Sequence, residues 1–324
     1  MGTPNAFIYN QGMKLAIGTV QFGQSYGVSN VKGRPSEQEV GEILEFAANQ
    51  HIRILDTAPA YSEAESVLGE ALSKNHPFQI ITKTQPLRDL STALNPSTVV
   101  LKTFEQSLKR LRVDGVAGLI VHLAEDLLGP HGDQVWATLD NIKASGRAEK
   151  IGVSCYTGRE IDVIMERYPI ELVQVPVNIF DQRLIKDGTL SKLADQGIEV
   201  HARSAFLQGL ALMDPNNLPL KFTRAEAPLR AFCEIAADNG LRPIELALRF
   251  VQSLKEVTRI VVGVNERREL SEIIEAMGGP IPESITPSSL STNDEAVITP
   301  SLWPPDTQEK WGFDFSRNHG SGPS

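Results

Sequence analysis

The chain has 324 residues, of which 41% are hydrophobic and 22% charged, a composition typical of a soluble globular protein with one large domain or two ordinary ones. Its formal net charge of −9 argues against nucleic acid or an acidic membrane surface as the main partner. The two cysteines, Cys155 and Cys233, are too few for a disulfide framework or a metal site built on paired thiolates, and they favour a reducing compartment.

The first residues lack the basic segment and apolar core of a secretory signal, and no run approaches the ~20 apolar residues that span a bilayer. We therefore expect a cytoplasmic protein that has no membrane partner. We also expect no metal ion.

Short apolar runs alternate with amphipathic helical patterns along the chain. The first predicted strand, Leu15–Thr19, precedes a helix that begins near Ser36, a candidate N-cap with Glu39 placed as in a capping box. The other predicted strands are Ile52–Leu55, Gln79–Thr82, Leu119–Val121, Ile151–Ser154, Leu172–Val175, Ile198–His201 and Arg259–Val262. A helical pattern follows each strand, and an additional helix over Ile244–Leu254 precedes the last one.

Eight strand–helix units of this kind predict an α/β fold, a closed (β/α)8 TIM barrel with one extra helix before the last strand. The alternative is an open doubly wound sheet, which places a glycine-rich turn after its first strand. The turn here, GTVQFGQSYG, does not read GxGxxG. We assign residues 1–279 to the barrel domain and residues 280–324 to an irregular C-terminal tail.

The tail is rich in Pro, Ser and Thr and has no hydrophobic periodicity, which predicts partial mobility. Four aromatic residues, Trp303, Trp311, Phe313 and Phe315, indicate that its last portion docks. We expect this portion to pack on the outside of the barrel or on another subunit of a homo-oligomer. The alternatives are that it covers the mouth of the substrate pocket or that it is disordered.

Four polar residues follow successive predicted strands: Asp56, Tyr61, Lys83 and His122. The ends of parallel barrel strands converge on one face, where active sites lie. A nearby ammonium lowers the pKa of a tyrosine, which is ~10 in solution, and a carboxylate can hold that ammonium in place. Each residue also has an ordinary structural explanation: Asp56 as a helix cap, Tyr61 as a surface aromatic, Lys83 as a solvated charge and His122 as a core histidine. Together, at the ends of successive strands, they predict a proton donor whose pKa is shifted by its neighbours.

The flanking sequences carry a resemblance to a known family. The blocks ILDTAPAYSEAESVLGEAL and FEQSLKRLRVDGVAGLIVH, then GRAEKIGVS, LVQVPVNIFDQR and LALRFVQS…RIVVGV, resemble those of the aldo-keto reductase superfamily, in the family's order, from about Lys14 to Met277. The resemblance implies a carbonyl reductase in which a nicotinamide cofactor delivers hydride to an aldehyde or ketone. Tyr61 would be the general acid, Lys83 would lower its pKa, Asp56 would pair with Lys83, and His122 would orient and polarise the carbonyl oxygen.

The same resemblance implies which residues bind the cofactor. Gly18, Thr19 and Asp56 would lie near its reactive end, and Ser154 and Gln174 would bond the nicotinamide amide. The remaining candidates follow the diphosphate and adenosine: Ser204, Leu207, Gly209, Gly263, Asn265, Arg267, Arg268 and Glu272.

The chain departs from the family pattern at three positions. Cys155 replaces an Asn that usually follows the serine found here at Ser154. Its role is either that of a small buried residue or that of a redox sensor. Arg203 replaces the aromatic residue that stacks on the nicotinamide; its guanidinium can stack in turn or draw an anionic substrate group. Glu269 replaces an Arg of NADP binders, so NADPH, the family default, would depend on Arg267 and Arg268, and NADH stays open.

The substrate pocket is expected to include Phe22, Tyr26 and Leu123. Small aldehydes, sugar-derived carbonyls and keto acids all remain candidate substrates. One alternative function is a cofactor-binding regulatory or accessory subunit with little turnover. Another is an unrelated barrel isomerase or lyase, which requires the block matches to be accidental.

Overall fold

The computed structural model describes residues 13–88 and 95–303. Eight parallel strands close into a barrel in chain order, with β8 paired to β1. This closure confirms the (β/α)8 prediction over an open sheet, whose two edge strands would stay unpaired. The strands are β1 Leu15–Gly18, β2 Ile54–Asp56, β3 Gln79–Lys83, β4 Val116–Val121, β5 Ala148–Ser154, β6 Leu172–Pro176, β7 Glu199–Arg203 and β8 Arg259–Gly263.

A principal helix follows every strand, and the predicted extra helix lies between β7 and β8. The principal helices are Glu37–Asn49, Ala64–Ala71, Pro96–Leu111, Gly132–Ala144, Gly158–Arg167, Thr189–Asp195, Glu226–Asp238 and Arg267–Ala276, and the extra helix is Pro243–Ser253. Short helices lie in the connections: Val20–Gly23, Glu125–Leu128, Arg183–Lys186, Leu207–Leu212 and Leu220–Ala225.

The predicted start of the first principal helix is where the structure has it. Ser36 is the N-cap, and its hydroxyl accepts a hydrogen bond from the Glu39 N–H at 3.2 Å. The Glu39 side chain reaches across to accept from the Arg267 N–H at 2.7 Å. One carboxylate thereby links the helix after β1 to the helix after β8.

An apolar plug fills the barrel beneath its carboxyl-terminal mouth. It consists of Ala16, Ile54, Ile81, Ile120 and Leu172, none more than 5% exposed. Because residues two apart in a strand point to the same side, the position two residues beyond each plug residue also faces inward. Those next positions are Gly18, Asp56, Lys83, His122 and Gln174. The expected active-site groups therefore form a polar layer directly on top of the plug.

Several strands extend further than the apolar runs that predicted them, and β3 and β7 are two that end on a charged residue. β3 includes Lys83, which pairs in register with Ile120, and β7 includes Arg203, which pairs with Pro176. An apolar run stops at the first charged residue, whereas the backbone ladder continues as long as the charged side chain has a place inside the barrel mouth.

Residues 280–303 lie against the barrel in three short helical turns, Pro287–Leu290, Glu295–Ile298 and Pro300–Leu302. The segment is attached by backbone contacts, among them the Thr292 N–H to the Phe180 carbonyl at 2.9 Å. Trp303 is 3% exposed and packs edge to face on Phe222, with ring centroids 5.0 Å apart. Trp311, Phe313 and Phe315 lie outside the described residues, and the boundary between barrel and tail at residue 279 stays a prediction.

Candidate active site

A cavity of about 430 Å³ opens at the carboxyl-terminal end of the barrel. Most residues expected from the sequence line it, which brings together positions from seven of the eight strands and their loops. They are Gly18, Thr19, Tyr26, Asp56, Tyr61, His122, Leu123, Ser154, Gln174, Arg203, Ser204, Gly209, Gly263, Asn265 and Glu272.

A buried ion pair lies at the base of this cavity. Lys83 Nζ donates to Asp56 Oδ1 at 2.6 Å and to the Thr57 carbonyl at 3.0 Å, and the two charged side chains are 1% and 4% exposed. The second carboxylate oxygen of Asp56 accepts from Gln174 Nε2 at 2.7 Å. Gln174, which we expected to bind the nicotinamide amide, holds the carboxylate from the opposite wall of the barrel.

Tyr61 lies over this pair, with the Lys83 ammonium 5.0 Å from its ring centroid. The turn that carries Tyr61 packs against the short helix Val20–Gly23. A Cβ at Gly23 would lie 1.9 Å from the Tyr61 carbonyl oxygen and 2.5 Å from the Ala64 nitrogen, so only glycine allows this approach. The position of Tyr61 therefore depends on the loop after β1 as well as on its own turn.

His122 completes the group at the end of β4. Its ring meets the Tyr61 ring edge-on, with centroids 5.8 Å apart and planes at 87°. Its backbone N–H donates to the Thr84 hydroxyl at 3.2 Å. Burial, followed by the positive charges of Lys83, Arg203 and Arg88, holds the pKa of His122 well below its usual range. The imidazole is therefore neutral at physiological pH.

The pKa of Tyr61 moves in the opposite direction to the one expected from the sequence. Burial raises it above the usual value for tyrosine and the Asp56 carboxylate raises it further, while Arg203 lowers it. Lys83 does not dominate, because its charge is already balanced by Asp56 at 2.6 Å. Tyr61 is consequently a protonated phenol at neutral pH and has a proton to donate.

The loop after β7 carries unusual backbone conformations. Ser204, Leu207 and Gln208 all have positive φ, at 61°, 46° and 57°, and Gly209 follows at 99°. Left-handed conformations at non-glycine residues cost about 1–3 kcal/mol each and cluster at functional sites. Ser204 and Gly209 line the cavity, whereas Leu207 is buried in the core at 1% exposure.

Arg203 projects into the cavity from the end of β7. Its guanidinium lies over the Tyr156 ring at 4.3 Å, and Nη1 is 3.4 Å from the Ser204 hydroxyl. Tyr156 was not predicted. The sequence signal for it was its place two residues beyond Ser154, at the same end of β5.

The opposite end of the cavity, where adenosine was expected, is acidic. Asn265, Glu269 and Glu272 line it, and Glu269 accepts from the Asn265 N–H at 2.7 Å. Neither predicted arginine lines the cavity. The Arg267 guanidinium packs on Phe46 at 4.9 Å, and exposed Arg268 pairs with Glu272 at 2.9 Å.

Sequence reasoning missed a segment of the loop after β1 that crosses the cavity. Gly27–Lys32 contacts both sides: the Val28 N–H donates to the Gln208 carbonyl at 2.9 Å, Asn30 Nδ2 donates to Asn265 Oδ1 at 3.1 Å, and Lys32 forms an ion pair with Glu266. These contacts join residues more than 170 positions apart, so no local pattern announces them.

Two further residues of this loop differ in their placement. Phe22, an expected pocket residue, is fully buried in the core and does not line the cavity. Gln21, which was not predicted, lines the cavity and is 8% exposed, and its Oε1 has no hydrogen-bond partner among the described residues. A buried acceptor of this kind is a ready contact for a ligand donor.

Cys155 is fully buried, and burial raises its pKa well above the usual thiol value. A protonated, inaccessible thiol fits the small buried residue better than the redox sensor.

Over residues 13–88 and 95–303, no group of three or more His, Cys, Asp or Glu side chains could hold a metal ion. Within those same ranges, every helix is too short or too polar to cross a bilayer.

Comparison with known proteins identifies the family. The model of the Aldo/keto reductase family matches residues 14–285. The aldo-keto reductase YhdN of Bacillus subtilis is 25% identical over 205 residues, which cover 61% of this chain and 59% of YhdN. The chain thus spans less than two thirds of that relative. L-galactose dehydrogenase of Arabidopsis thaliana is 25% identical and covers 83% of this chain and 86% of its own.

A solved structure shows the same fold. The holo form of the aldo-keto reductase AKR11C1 from Bacillus halodurans superposes with a TM-score of 0.68 at 18% identity, over 86% of this chain and 92% of that one. The family model spans the whole barrel, including Asp56, Tyr61, Lys83 and His122. The resemblance read from the sequence is therefore confirmed, and the chain belongs to the aldo/keto reductase family of oxidoreductases.

Proposed function

We propose that the protein is an NAD(P)H-dependent carbonyl reductase in which Tyr61 is the general acid. The observation that supports this most strongly is the buried Lys83–Asp56 pair beneath Tyr61, with His122 edge-on beside it in one cavity. The raised pKa of Tyr61 and the lowered pKa of His122 leave one protonated phenol and one neutral imidazole. Both can donate a hydrogen bond to the same oxygen atom.

These residues divide the work of reduction. The nicotinamide, when bound, supplies the hydride. His122 donates a hydrogen bond that orients the carbonyl oxygen and stabilises the negative charge that develops there. Tyr61 transfers its proton to that oxygen. The Asp56–Lys83 ion pair, which has no net charge, provides a polar floor beneath the phenol. In the reverse direction the phenolate form of Tyr61 accepts the proton of an alcohol, and an oxidised nicotinamide would take up the hydride.

The groups along the cavity fit such a cofactor. Gln21 offers a buried acceptor, and Ser154 and Gln174 bring further polar atoms to the end where the amide was expected. At Gly263 a Cβ would meet the Gln21 amide at 2.1 Å, so glycine lets the Gln21 side chain pack against this wall. Thr19, bound to the Asp56 carbonyl at 3.0 Å, stabilises the neighbouring strand end.

For the cofactor itself we propose NADH in place of the family default NADPH. A 2′-phosphate would meet the Glu269 carboxylate, while the Arg267 side chain packs on Phe46 and the Arg268 guanidinium is already paired with Glu272. The Asn265 and Arg267 N–H groups at the start of the last principal helix already donate to Glu269 and Glu39. A ribose hydroxyl can instead donate to a carboxylate, as acidic residues bind the 2′-hydroxyl of NAD in other folds.

Fluorescence titration with each cofactor tests this choice. We expect NADH to bind at least about tenfold more tightly than NADPH, which corresponds to about 1.4 kcal/mol. Glu269→Gln should narrow that ratio by improving NADPH binding, whereas Glu283→Gln, in the tail segment, should not. Tighter binding of NADPH to the unaltered protein would contradict the proposal.

Tyr61→Phe tests the catalytic assignment. It should leave cofactor binding nearly intact and lower turnover about 10²–10⁴-fold, the usual contribution of a general acid. Tyr168→Phe is the matched control, because Tyr168 is buried and donates to Asp133 at 2.8 Å outside the cavity. Unchanged turnover in Tyr61→Phe would refute the assignment. Tight cofactor binding with negligible turnover of a broad aldehyde and ketone panel would favour a regulatory subunit.

The cellular setting belongs to the same proposal. Cys155 and Cys233 are free thiols, which supports a cytoplasmic location. The partner proposed is a small carbonyl or alcohol substrate. A homo-oligomer that forms through the aromatic residues of the tail stays a prediction for size measurements in solution.

A further inference from the structure

Arg203 lines the cavity as a cation that forms no ion pair within residues 13–88 and 95–303. The ion pairs that surround the cavity join other partners: Asp56 with Lys83, Glu266 with Lys32, and Glu272 with Arg268. Among the residues that the structure describes, none of the ion pairs includes the Arg203 guanidinium. Burial acts to lower the pKa of Arg203, and the neighbouring phenols of Tyr156, Tyr26 and Tyr61 act to raise it.

The Arg203 side chain is held in one orientation. Tyr156 covers one face of the guanidinium at 4.3 Å, a contact that partly offsets the loss of water around the charge. Hydrogen bonds to the Ser204 hydroxyl, at 3.4 Å, and to Tyr156 use part of its five N–H donors. With a face covered by Tyr156, the edge of the guanidinium carries the remaining donors, and that edge matches the paired oxygen atoms of a carboxylate or phosphate.

Arg203 also lies close to the expected reaction centre. It lines the same cavity of about 430 Å³ as Tyr61, His122 and Tyr26, at the carboxyl-terminal end of β7. Its charge acts on the pKa values of both Tyr61 and His122, so it lies within range of the expected carbonyl site. Arg203 is half-buried, so its charge loses part of its hydration, and an anionic ligand would supply an opposite charge.

We propose that Arg203 binds an oxyanionic group of the substrate, so that the protein acts on small carbonyl compounds that carry a carboxylate or a phosphate. This inference rests on the proposed reductase function and names its substrate class. Tyr156 is a positioning residue that holds the guanidinium with its edge towards the cavity. The competing role for Arg203 is stacking on the nicotinamide. In that case replacement of Arg203 would weaken cofactor binding and would not change the preference for anionic substrates.

Matched substrate pairs separate the two roles. Succinic semialdehyde is compared with butanal, and glyceraldehyde 3-phosphate with glyceraldehyde, so that each pair shares a carbonyl and differs in the anion. The kcat/KM ratio within a pair is measured for the unaltered protein, Arg203→Gln, Arg203→Lys, and Arg159→Gln as an exposed arginine control. We expect Arg203→Gln to lower the anionic-to-neutral ratio about 10- to 100-fold, the range of a charge-assisted hydrogen bond. Arg203→Lys should be intermediate, and the control should leave the ratio unchanged.

Binding provides a readout that does not depend on turnover. Calorimetry with succinate and with inorganic phosphate, each with and without NADH, should show binding of at least one anion that Arg203→Gln abolishes. The pair that responds identifies the anion as carboxylate or phosphate. An unchanged ratio, or weaker NADH binding with equal losses for both members of each pair, overturns the proposal. If no carbonyl is reduced at all, the reductase function fails, and the anion titration alone decides whether Arg203 binds oxyanions.

Discussion

Replacement of Asp56 with asparagine would show how the barrel holds a charge beneath its active site. The Asp56 carboxylate accepts from Lys83 Nζ at 2.6 Å and from Gln174 Nε2 at 2.7 Å, and the two charged side chains are almost fully buried. Asparagine has nearly the same shape and keeps one acceptor oxygen. It leaves the Lys83 ammonium without a negative partner.

The loss is large because the charge is buried. Breaking one side of a buried ion pair destabilises a protein by about 3–5 kcal/mol. The remaining ammonium can lose its proton instead, since burial already lowers the pKa of Lys83 while Asp56 holds it up. Each further unit by which that pKa falls corresponds to about 1.4 kcal/mol. We therefore expect Asp56→Asn to reduce the free energy of unfolding by about 3–5 kcal/mol at neutral pH.

The sign of the pH dependence follows from proton binding. Between the lowered pKa of Lys83 in the folded variant and its unfolded pKa of ~10.4, the unfolded chain binds more protons than the folded one. Stability therefore rises with pH across this window and is flat below it. The deficit of Asp56→Asn relative to the unaltered protein should shrink as the pH approaches 10.

Denaturant unfolding at several pH values measures these effects. Asp162→Asn is the matched control, because Asp162 accepts from Lys192 at the same 2.6 Å but the two side chains are 52% and 46% exposed. It should cost at most about 1 kcal/mol. The double variant Asp56→Asn with Lys83→Met should recover part of the lost stability, since it removes both charges. Equal losses for Asp56→Asn and Asp162→Asn would refute the reasoning.

Since Tyr61 stays protonated and His122 neutral, kcat for carbonyl reduction should be flat from about pH 6.5 to about 10, and a group titrating near 7.5 in the rate profile would contradict this. Gly23→Ala should lower kcat more than tenfold, because the added Cβ would displace the turn that carries Tyr61. The control is Gly41→Ala, in a helix where the added Cβ would meet nothing within 4 Å, and it should stabilise the protein by about 0.4–1 kcal/mol. Similar kcat values for the two variants would count against the packing argument. Trp303→Ala should expose the segment 280–303 to limited proteolysis by removing its contact with Phe222, with half-exposed Leu302→Ala as the control, and equal cleavage of both would show that Trp303 does not anchor the segment.

The order of the barrel strands, and the grouping of Asp56, Tyr61, Lys83 and His122 at the barrel mouth, were predictable because both are written in short stretches of chain. Alternating apolar runs and helical patterns need only the 3.6-residue and two-residue periodicities, and Asp56 precedes Tyr61 by five residues. The apolar plug residue Ile54 places Asp56 inside the barrel through simple alternation. Even so, the strand ends at Lys83 and Arg203 were missed. The apolar pattern stops before these charged residues, whereas the strand itself continues through them.

The pKa of Tyr61 could not be predicted from the sequence. The presence of Lys83 on the next strand pointed to a lowered value, but the direction depends on how far burial opposes the ammonium and on what already neutralises it. In the structure Asp56 balances Lys83, and burial raises the pKa of the phenol.

By itself, then, the chain determined its strand order, its family and the chemical groups at the barrel mouth, because local periodicity and spacing carry that information. Tertiary structure alone decided which of those groups face one another. Gln174 reaches the Asp56 carboxylate from 118 residues away, Tyr156 covers Arg203, and Arg267 turns to Phe46 and away from the cavity. Such contacts depend on how the barrel closes and how its loops cross, and the free energy that selects them is spread over the whole packed molecule.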